Sequence, residues 1–267
     1  MVRQCLTVWQ LPLPFYYCCG KANCPACCYS KSMITLRKAT DRFHTKIDWL
    51  DSWHTFSFGE HYDANHMAFG PLRVINEDRI KGGAGFPTHG HKDMEIITLV
   101  LSGSLSHKDS IGNGSAITPG DVQKMSAGKG ILHSEFNASA TEACHLLQIW
   151  IIPSVTGIKP EYQQIHFEPE QWRNQLCLVA SPEAKDGTIL LHQDARMYVA
   201  QLSKGASVEY AIGKNRGVWA HLATGKADIN GMTLIEGDAL ALEDEKSFTC
   251  NASEDSTLLV FDVEQSS

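Results

Sequence analysis

Two short histidine-containing segments are the part of the sequence whose residue types and spacing could do chemistry. They are His89-x-His91 and His133-x-Glu135. In a β-strand, residues i and i+2 point to the same face, so each segment presents two ligand-type side chains on one side of its strand. If both strands line one barrel, three imidazoles and one carboxylate converge, and this donor set suits a first-row divalent metal with open positions. We therefore predict a metal site formed by His89, His91, His133 and Glu135.

The elements that must position these residues have the pattern of short β-strands separated by turns. From Met33 onward, Gly-Gly, Asn-Gly and Pro-Gly turn signals recur about every eight to twelve residues, and capped helical segments are scarce. Runs rich in Val, Ile, Leu and Thr lie between the turns. This pattern is typical of a β-sandwich or β-barrel, and it predicts an all-β fold.

The same pattern occurs twice along the chain. Residues 103–121 read as strand, Asn-Gly turn, strand and Gly-Asp turn, and residues 225–238 read the same way. Between the two, residues 153–165 carry prolines and a glycine that interrupt the strand pattern. A tandem duplication of one β domain is therefore predicted, with the domains at residues 33–155 and 156–267.

Residues 1–32 differ from the rest of the chain in composition. They hold six of the nine cysteines and no acidic residue, and the prolines within them make a poor secretory signal. Cys24-x-x-Cys27 has the spacing of a zinc-ligand pair, but one pair without a second is weak evidence for a zinc site. We predict a disordered extension or a start assigned too early, and a metal or redox tail or a targeting segment remain alternatives.

Composition excludes several classes of protein. The chain is 43% hydrophobic with a net charge of -7, and it contains no run of about eighteen apolar residues. Neither a disordered protein, nor a membrane-spanning one, nor a direct nucleic-acid binder is expected. Outside residues 1–32 only Cys144, Cys177 and Cys250 occur, so we predict reduced thiols and a cytoplasmic location.

The residues around the histidines resemble the two cupin motifs, with Gly83, His89, His91 and Glu95 in the first and Gly128, His133 and Asn137 in the second. Longer segments resemble the pirin family of the cupin superfamily: Asp51–Phe58, Leu72–Asp78, His91–Ile97, His107–Asn113, Ser126–Glu135 and Gln148–Trp150. The family usually has a proline where this chain has Gly90. The resemblance implies a bicupin, two tandem jelly-roll β-barrel domains with metal held only by the first.

An alignment of the two halves supports that asymmetry. It places Ala211 and Gly213 opposite the first histidine pair and Cys250 near the position of His133. His192 and His221 lie in the second half, but neither has an i+2 partner. We expect both to be structural or surface residues and the second domain to bind no metal.

Two glutamates are candidates for the carboxylate ligand. In ordinary cupins the first-motif glutamate, here Glu95, completes the ligand set, whereas the pirin resemblance implies Glu135. Glu135 lies two residues from His133, but Glu95 lies four residues beyond His91, about 13 Å along an extended strand. We therefore favour Glu135 as ligand and catalytic residue, with Glu95 as a hydrogen-bonding neighbour or alternative ligand.

Other side chains are candidates for the surroundings of the metal. His54, Phe56 and Phe58 alternate along one segment and either form a substrate pocket or fill the barrel core. His107 and Asp109 also alternate, and we interpret them as a surface histidine and a turn-capping aspartate.

The resemblance implies one of two functions. The first is a quercetin 2,3-dioxygenase that opens a flavonol with O2, in which Glu135 takes the proton of the 3-hydroxyl group. The second is a regulatory protein, metal- and redox-dependent, that binds a transcription factor or an enzyme. We favour the enzyme, because the sequence contains no evident partner-binding element. One metal ion per chain is expected, iron first, with Cu, Ni, Mn, Co and Zn open.

Overall fold

The computed structural model of the protein describes residues 33–185 and 187–265. The predictions for residues 1–32 lie outside these residues. In the described part, the strands are β1 (Met33–Arg37), β2 (Phe43–Lys46), β3 (Leu50–His54), β4 (Leu72–Ile80), β5 (Gly85–His91), β6 (Glu95–Ser102), β7 (Leu105–Asp109), β8 (Gly114–Ile117), β9 (Asp121–Ser126), β10 (Ile131–Asn137), β11 (Cys144–Ile151), β12 (Glu161–His166), β13 (Cys177–Ser181), β14 (Ile189–Leu190), β15 (Ala195–Leu202), β16 (Ser207–Ala211), β17 (Arg216–Thr224), β18 (Lys226–Ile229), β19 (Met232–Ile235), β20 (Ala239–Glu243), β21 (Ser247–Ala252) and β22 (Ser256–Glu264). A 3-10 turn (Ala39–Asp41) and one short helix, α1 (Pro169–Trp172), complete them.

Each half of the chain contributes one large and one small sheet. The first large sheet has the order β12-β9-β6-β11-β4-β3-β2 and the first small sheet the order β5-β10-β7-β8. The second pair has the orders β1-β20-β17-β22-β15-β13-β14 and β16-β21-β18-β19. The prediction of an all-β fold with two cupin-type units is confirmed. Among the described strands, the sheets of each unit stay separate, so each unit is a two-sheet jelly roll and not a closed barrel.

Two edge strands are exchanged between the halves. β1 pairs with β20, with Met33 opposite Glu243, and β12 pairs with β9, with Glu161 opposite Ser126. Both are the outermost strands of their sheets, where they cover backbone groups that would otherwise be unpaired. Strand pairing therefore crosses the boundary that the sequence predicts after residue 155.

A buried apolar cluster joins the two large sheets. It includes Ile75 and Ile149 from the first half and Trp219 and Phe261 from the second. Burial of each such side chain stabilises the folded state by about 1.5–3 kcal/mol. The contact between the halves is thus built like a domain core.

The first small sheet carries the predicted metal ligands. Along β10, side chains alternate between buried and exposed, with His133 and Glu135 buried and Leu132 and Phe136 exposed. This alternation turns both ligand-type side chains toward the interior. In the described residues, no helix is long and apolar enough to cross a membrane.

Candidate metal centre

Three histidines converge between β5 and β10. His133 lies opposite His89 in the strand register, and His91 lies two residues further along β5. Their candidate ligand atoms all lie within 4.8 Å of one another. The closest pair is Nε2 of His89 and Nε2 of His133, at 3.0 Å. The predicted three-histidine group is therefore assembled on one face of the small sheet.

The protonation of these imidazoles suits a metal ion. His89 Nδ1 lies 2.8 Å from the carbonyl oxygen of Pro87, which only accepts, so the proton is on Nδ1 and the lone pair is on Nε2. Burial, and then the neighbouring His89, lower the pKa of His91 to about 4. Burial and the surrounding imidazoles lower the pKa of His133 to about 3. Both rings are neutral at neutral pH, which is the form that binds metal.

Glu135 lies beside His133 but belongs to a second group of candidate ligand atoms. That group consists of His107, His133 and Glu135, with all three side chains buried. Gln148 Nε2 donates to Glu135 Oε2 at 2.7 Å. Burial raises the pKa of Glu135 to about 7 against the opposing effect of this hydrogen bond. His133 is thus the residue that links Glu135 to the three-histidine group.

The interpretation of His107 as a surface residue is wrong. Its side chain is fully buried, because β7 pairs with β10 and places His107 opposite Glu135. The ring of Tyr162 covers it at 5.2 Å between centroids. Asp109 does cap the following turn, since its carboxylate accepts hydrogen bonds from the backbone N–H groups of Ile111 and Asn113.

Glu95 lies outside both groups of ligand atoms. The backbone turns at Asp93, which has a φ of 48°, so Glu95 starts β6 in the large sheet and does not continue the strand of His91. Its Oε2 lies 3.4 Å from Lys124 Nζ and accepts a bond from the backbone N–H of His192 at 3.3 Å. The contacts of Glu95 are therefore with a buried lysine and the second half of the chain, and not with the histidines.

A cavity of about 590 Å³ adjoins the histidines. His89, His91 and Glu135 form part of its wall. The other lining side chains are apolar or aromatic (Leu50, Phe58, Phe86, Pro87 and Trp150) or polar (Thr45, Ser52, His54, Glu60, His61, Asn76, Asp78, Thr88 and Gln148). This volume lies within the range of about 300–1,000 Å³ that is usual for small-molecule sites.

The structure separates the three candidate pocket residues. His54 and Phe58 line the cavity, and their rings stack at 5.2 Å. Phe56 is buried in the core between the halves, 4.9 Å from the ring of Trp219. The reason is that β3 ends at His54, so the two-residue alternation assumed for the segment does not hold at Phe56.

Gln148 and Trp150 are functional candidates to which sequence reasoning assigned no role. Trp150 Nε1 donates to Gln148 Oε1 at 3.2 Å, and the edge of its ring meets His91 at 4.9 Å. Their i,i+2 spacing indicates that the two side chains share one face of a strand. It does not indicate that this face meets the histidines, because β11 belongs to the large sheet. Only the packing of the two sheets brings these side chains to the histidines.

In the second half of the described chain, no group of candidate ligands forms. Cys250 pairs with Val208 in β21 and β16, where the first half has His133 and His89. His192 Nε2 bonds Glu161 at 2.9 Å, and His221 is fully buried. Cysteines 144, 177 and 250 are free.

The residues present fit a divalent metal ion. The Nε2 lone pair of His89 faces a second ring nitrogen at 3.0 Å, an approach that a shared cation would satisfy. Three imidazoles are borderline donors and the adjoining carboxyl group is a hard donor, and this combination suits a first-row divalent ion. His89 and His91 also line the cavity, so a molecule in the cavity lies next to the three-histidine group.

Comparison with known proteins identifies the family. The profile named Pirin matches residues 36–151, and that of the quercetinase C-terminal cupin domain matches residues 178–263. The quercetin 2,3-dioxygenase of Escherichia coli K12 is 48% identical over 231 residues, which cover 86% of this chain and 99% of that protein. The chain belongs to the pirin family. A putative quercetin 2,3-dioxygenase of Pasteurella multocida is 40% identical to this pirin over 86% of the chain and 100% of its own length.

Solved structures agree with this membership. The crystal structure of YhhW from Escherichia coli has a TM-score of 0.84 to this pirin, with 47% identity over 88% of this chain and 99% of that one. A second structure shows the same bacterial pirin in complex with nickel(II), with a TM-score of 0.83 and coverage of 88% and 100%. The bicupin architecture implied by the cupin and pirin motifs is therefore shown.

Proposed function

We propose that this pirin is a metal-dependent dioxygenase that opens flavonols such as quercetin with O2. The observation that carries the proposal is the convergence of three histidines beside an aromatic-lined cavity, with His89, His91 and Glu135 on the cavity wall. The names of the relatives from Escherichia coli and Pasteurella multocida support it. The resemblance of the sequence to the pirin family implies the same reaction.

His89, His91 and His133 would hold one divalent ion, with Glu135 as the fourth ligand. When bound there, such an ion supplies Lewis-acid chemistry toward the oxygens of a flavonol and toward O2. The nickel(II) complex of the Escherichia coli protein supports a divalent metal. Iron remains our proposal for this chain, because metal supply in the cell, and not the higher intrinsic affinity of copper or nickel, decides which ion occupies such a site.

The side chains around the cavity orient the substrate and hold its proton. Glu135 lies on the cavity wall, where its carboxylate would take the proton of the flavonol 3-hydroxyl group. Gln148 orients that carboxylate through the bond to Oε2. The rings of Phe58, Phe86 and Trp150 would pack against the flat substrate and exclude water from its reacting oxygens.

Metal analysis followed by oxygen uptake tests this function. Protein purified without added metal should contain about one divalent ion per chain, and it should consume O2 and release carbon monoxide with flavonols. Glu135→Gln should abolish the oxygen uptake. Full metal content with no oxygen uptake for any flavonol would contradict the enzyme and favour the regulatory alternative with a protein partner.

The cellular context of this activity is also a proposal. We place the protein in the cytoplasm, which the three free cysteines support. The net charge of -7 supports the expectation that the protein does not bind nucleic acid directly. Cell fractionation, together with titration of the thiols in unfolded protein, tests the cytoplasmic location.

A further inference from the structure

We propose that the cavity contains a second recognition site, which binds the phenolic hydroxyl groups on the 2-phenyl ring of the flavonol. The site consists of Thr45, His54, His61 and Asn76, and we call it the distal polar site. It rests on the proposed function, because the ligand is the 2-phenyl ring of a flavonol. It would determine which flavonols the protein prefers.

In each hydrogen bond of the distal polar site, the donor and the acceptor can be assigned from the chemistry of the atoms. His54 Nδ1 lies 2.8 Å from Asn76 Oδ1, and because an amide oxygen only accepts, the proton is on Nδ1. His54 Nε2 must therefore accept, and the hydroxyl group of Thr45 donates to it at 2.9 Å. Thr45 has no second proton, so its oxygen accepts from Nε2 of His61 at 3.0 Å.

This assignment of donors and acceptors leaves an unused donor at one end of the site and an unused acceptor at the other. The Nδ2 group of Asn76 can donate, and Nδ1 of His61 can accept. Neither atom has a hydrogen-bond partner among residues 33–185 and 187–265, and both residues line the cavity. A phenolic hydroxyl group both donates and accepts, so the hydroxyl groups of one phenyl ring offer the type of partner that each end lacks.

Two other polar groups at this end of the cavity, Ser52 and Asp78, bond to each other. Ser52 donates a short hydrogen bond to the buried carboxyl group of Asp78. Burial lowers the pKa of His54, so this ring is neutral and does not act as an ion-pairing group. The unmatched capacity of Asn76 and His61 therefore belongs to an amide and an imidazole, and the carboxylate of Glu60 on the same wall can only accept, so a ligand with hydroxyl donors is favoured over an anion.

An aromatic wall connects the distal polar site to the histidine centre. The ring of His54 contacts Phe58 at 5.2 Å, Phe58 contacts Trp150 at 5.4 Å, and Trp150 contacts His91 at 4.9 Å. A flavonol is a flat molecule with three rings. Lying along this wall with its 3-hydroxyl group near His91, it would direct its 2-phenyl ring toward His54.

Two flavonols and one substitution test the proposal. Thr45→Val keeps the side-chain shape and removes the central hydroxyl group of the site. In the metal-loaded full chain, we expect KM for quercetin, which carries two adjacent hydroxyl groups on its 2-phenyl ring, to rise about 5- to 10-fold with kcat little changed. KM for the flavonol with an unsubstituted 2-phenyl ring should not change.

A second variant and a control complete the design. His61→Phe, which keeps the stacking on Phe43, should show the same selective effect. Thr233→Val, at an exposed position of β19, should behave like the unmodified protein. Metal content should stay at about one per chain in all three variants.

The outcomes separate this proposal from the proposed function. If both flavonols are oxidised and neither Thr45→Val nor His61→Phe changes the ratio of their KM values, the distal polar site is wrong and the dioxygenase stands. An equal loss for both substrates also overturns the site. If the metal-loaded protein neither oxidises nor binds either flavonol in titration calorimetry, the proposed function fails and the site fails with it.

Discussion

Gln148 donates a hydrogen bond of 2.7 Å from Nε2 to Oε2 of Glu135. The orientation of this amide is determined by Trp150, because an indole N–H only donates and therefore faces Gln148 Oε1, at 3.2 Å. The amide nitrogen is then directed to the carboxylate. The large sheet, through β11, thus orients a candidate ligand on the small sheet.

This relationship predicts the effect of removing the amide. Gln148→Met keeps the length of the side chain but loses the donor, so the carboxylate of Glu135 loses its orienting partner. Loss of such a supporting hydrogen bond typically lowers metal affinity about 10- to 100-fold. Nickel(II) titration calorimetry of the full chain measures it, with Gln175→Met at an exposed position as the control. Unchanged affinity in Gln148→Met would show that the bond does not support the ligand.

The two glutamates should respond differently to substitution. Glu135→Gln is expected to lower metal affinity and abolish oxygen uptake, because it removes the carboxylate next to His133. Glu95→Gln should keep the metal but reduce stability, because it removes the nearer of the two carboxylates beside the buried Lys124 and leaves only Glu161, at 3.9 Å. Full metal retention in Glu135→Gln together with loss in Glu95→Gln would return the protein to the ordinary cupin ligand set.

The second unit should hold no metal. His192→Ala and His221→Ala are expected to leave the metal content at one ion per chain, because neither side chain belongs to a group of candidate ligands. His221→Ala should still lower the melting temperature, since the imidazole is fully buried. Elemental analysis decides the first point, and two ions per chain in the unmodified protein would contradict it.

Acid should destabilise the protein through Glu77. Burial alone would raise the pKa of this carboxyl group, but hydrogen bonds from His145 and Arg42 and the charge of Arg79 lower it to about 2. The ion pairs therefore stabilise the fold above the unfolded-state pKa of about 4.3, and this stability is lost as the pH falls from about 4.3 toward 2. Denaturant unfolding between pH 6 and pH 3 measures the decline, and Glu77→Gln should flatten it.

The two phenylalanines after β3 should have different roles. Phe56→Ala removes a ring from the core between the halves and should lower the free energy of unfolding by about 3–5 kcal/mol. Phe58→Ala opens the cavity wall, so it should raise KM for flavonols with a smaller loss of stability. Chemical denaturation and oxygen-uptake kinetics of both variants separate the effects. Equal losses of stability would show that Phe58 is also a core residue.

Sequence alone determined the features that depend on local periodicity. The two-residue period of a strand predicted that His133 and Glu135 share a face, and both are buried on β10. Regular turn signals predicted two similar β units, and the order of the sheets confirms them. The i,i+2 spacing of the histidines indicated metal chemistry, because it places two ligand-type side chains on the same face of one strand.

Tertiary structure decided everything that depends on contacts between distant segments. The turn at Asp93 moves Glu95 into the other sheet, and the end of β3 at His54 buries Phe56 in the core. Neither break in periodicity is visible in residue types alone. The contacts of Gln148 with Glu135 and of β1 with β20 join strands far apart in sequence, and their register is set by the packing of whole sheets. No local pattern specifies that packing.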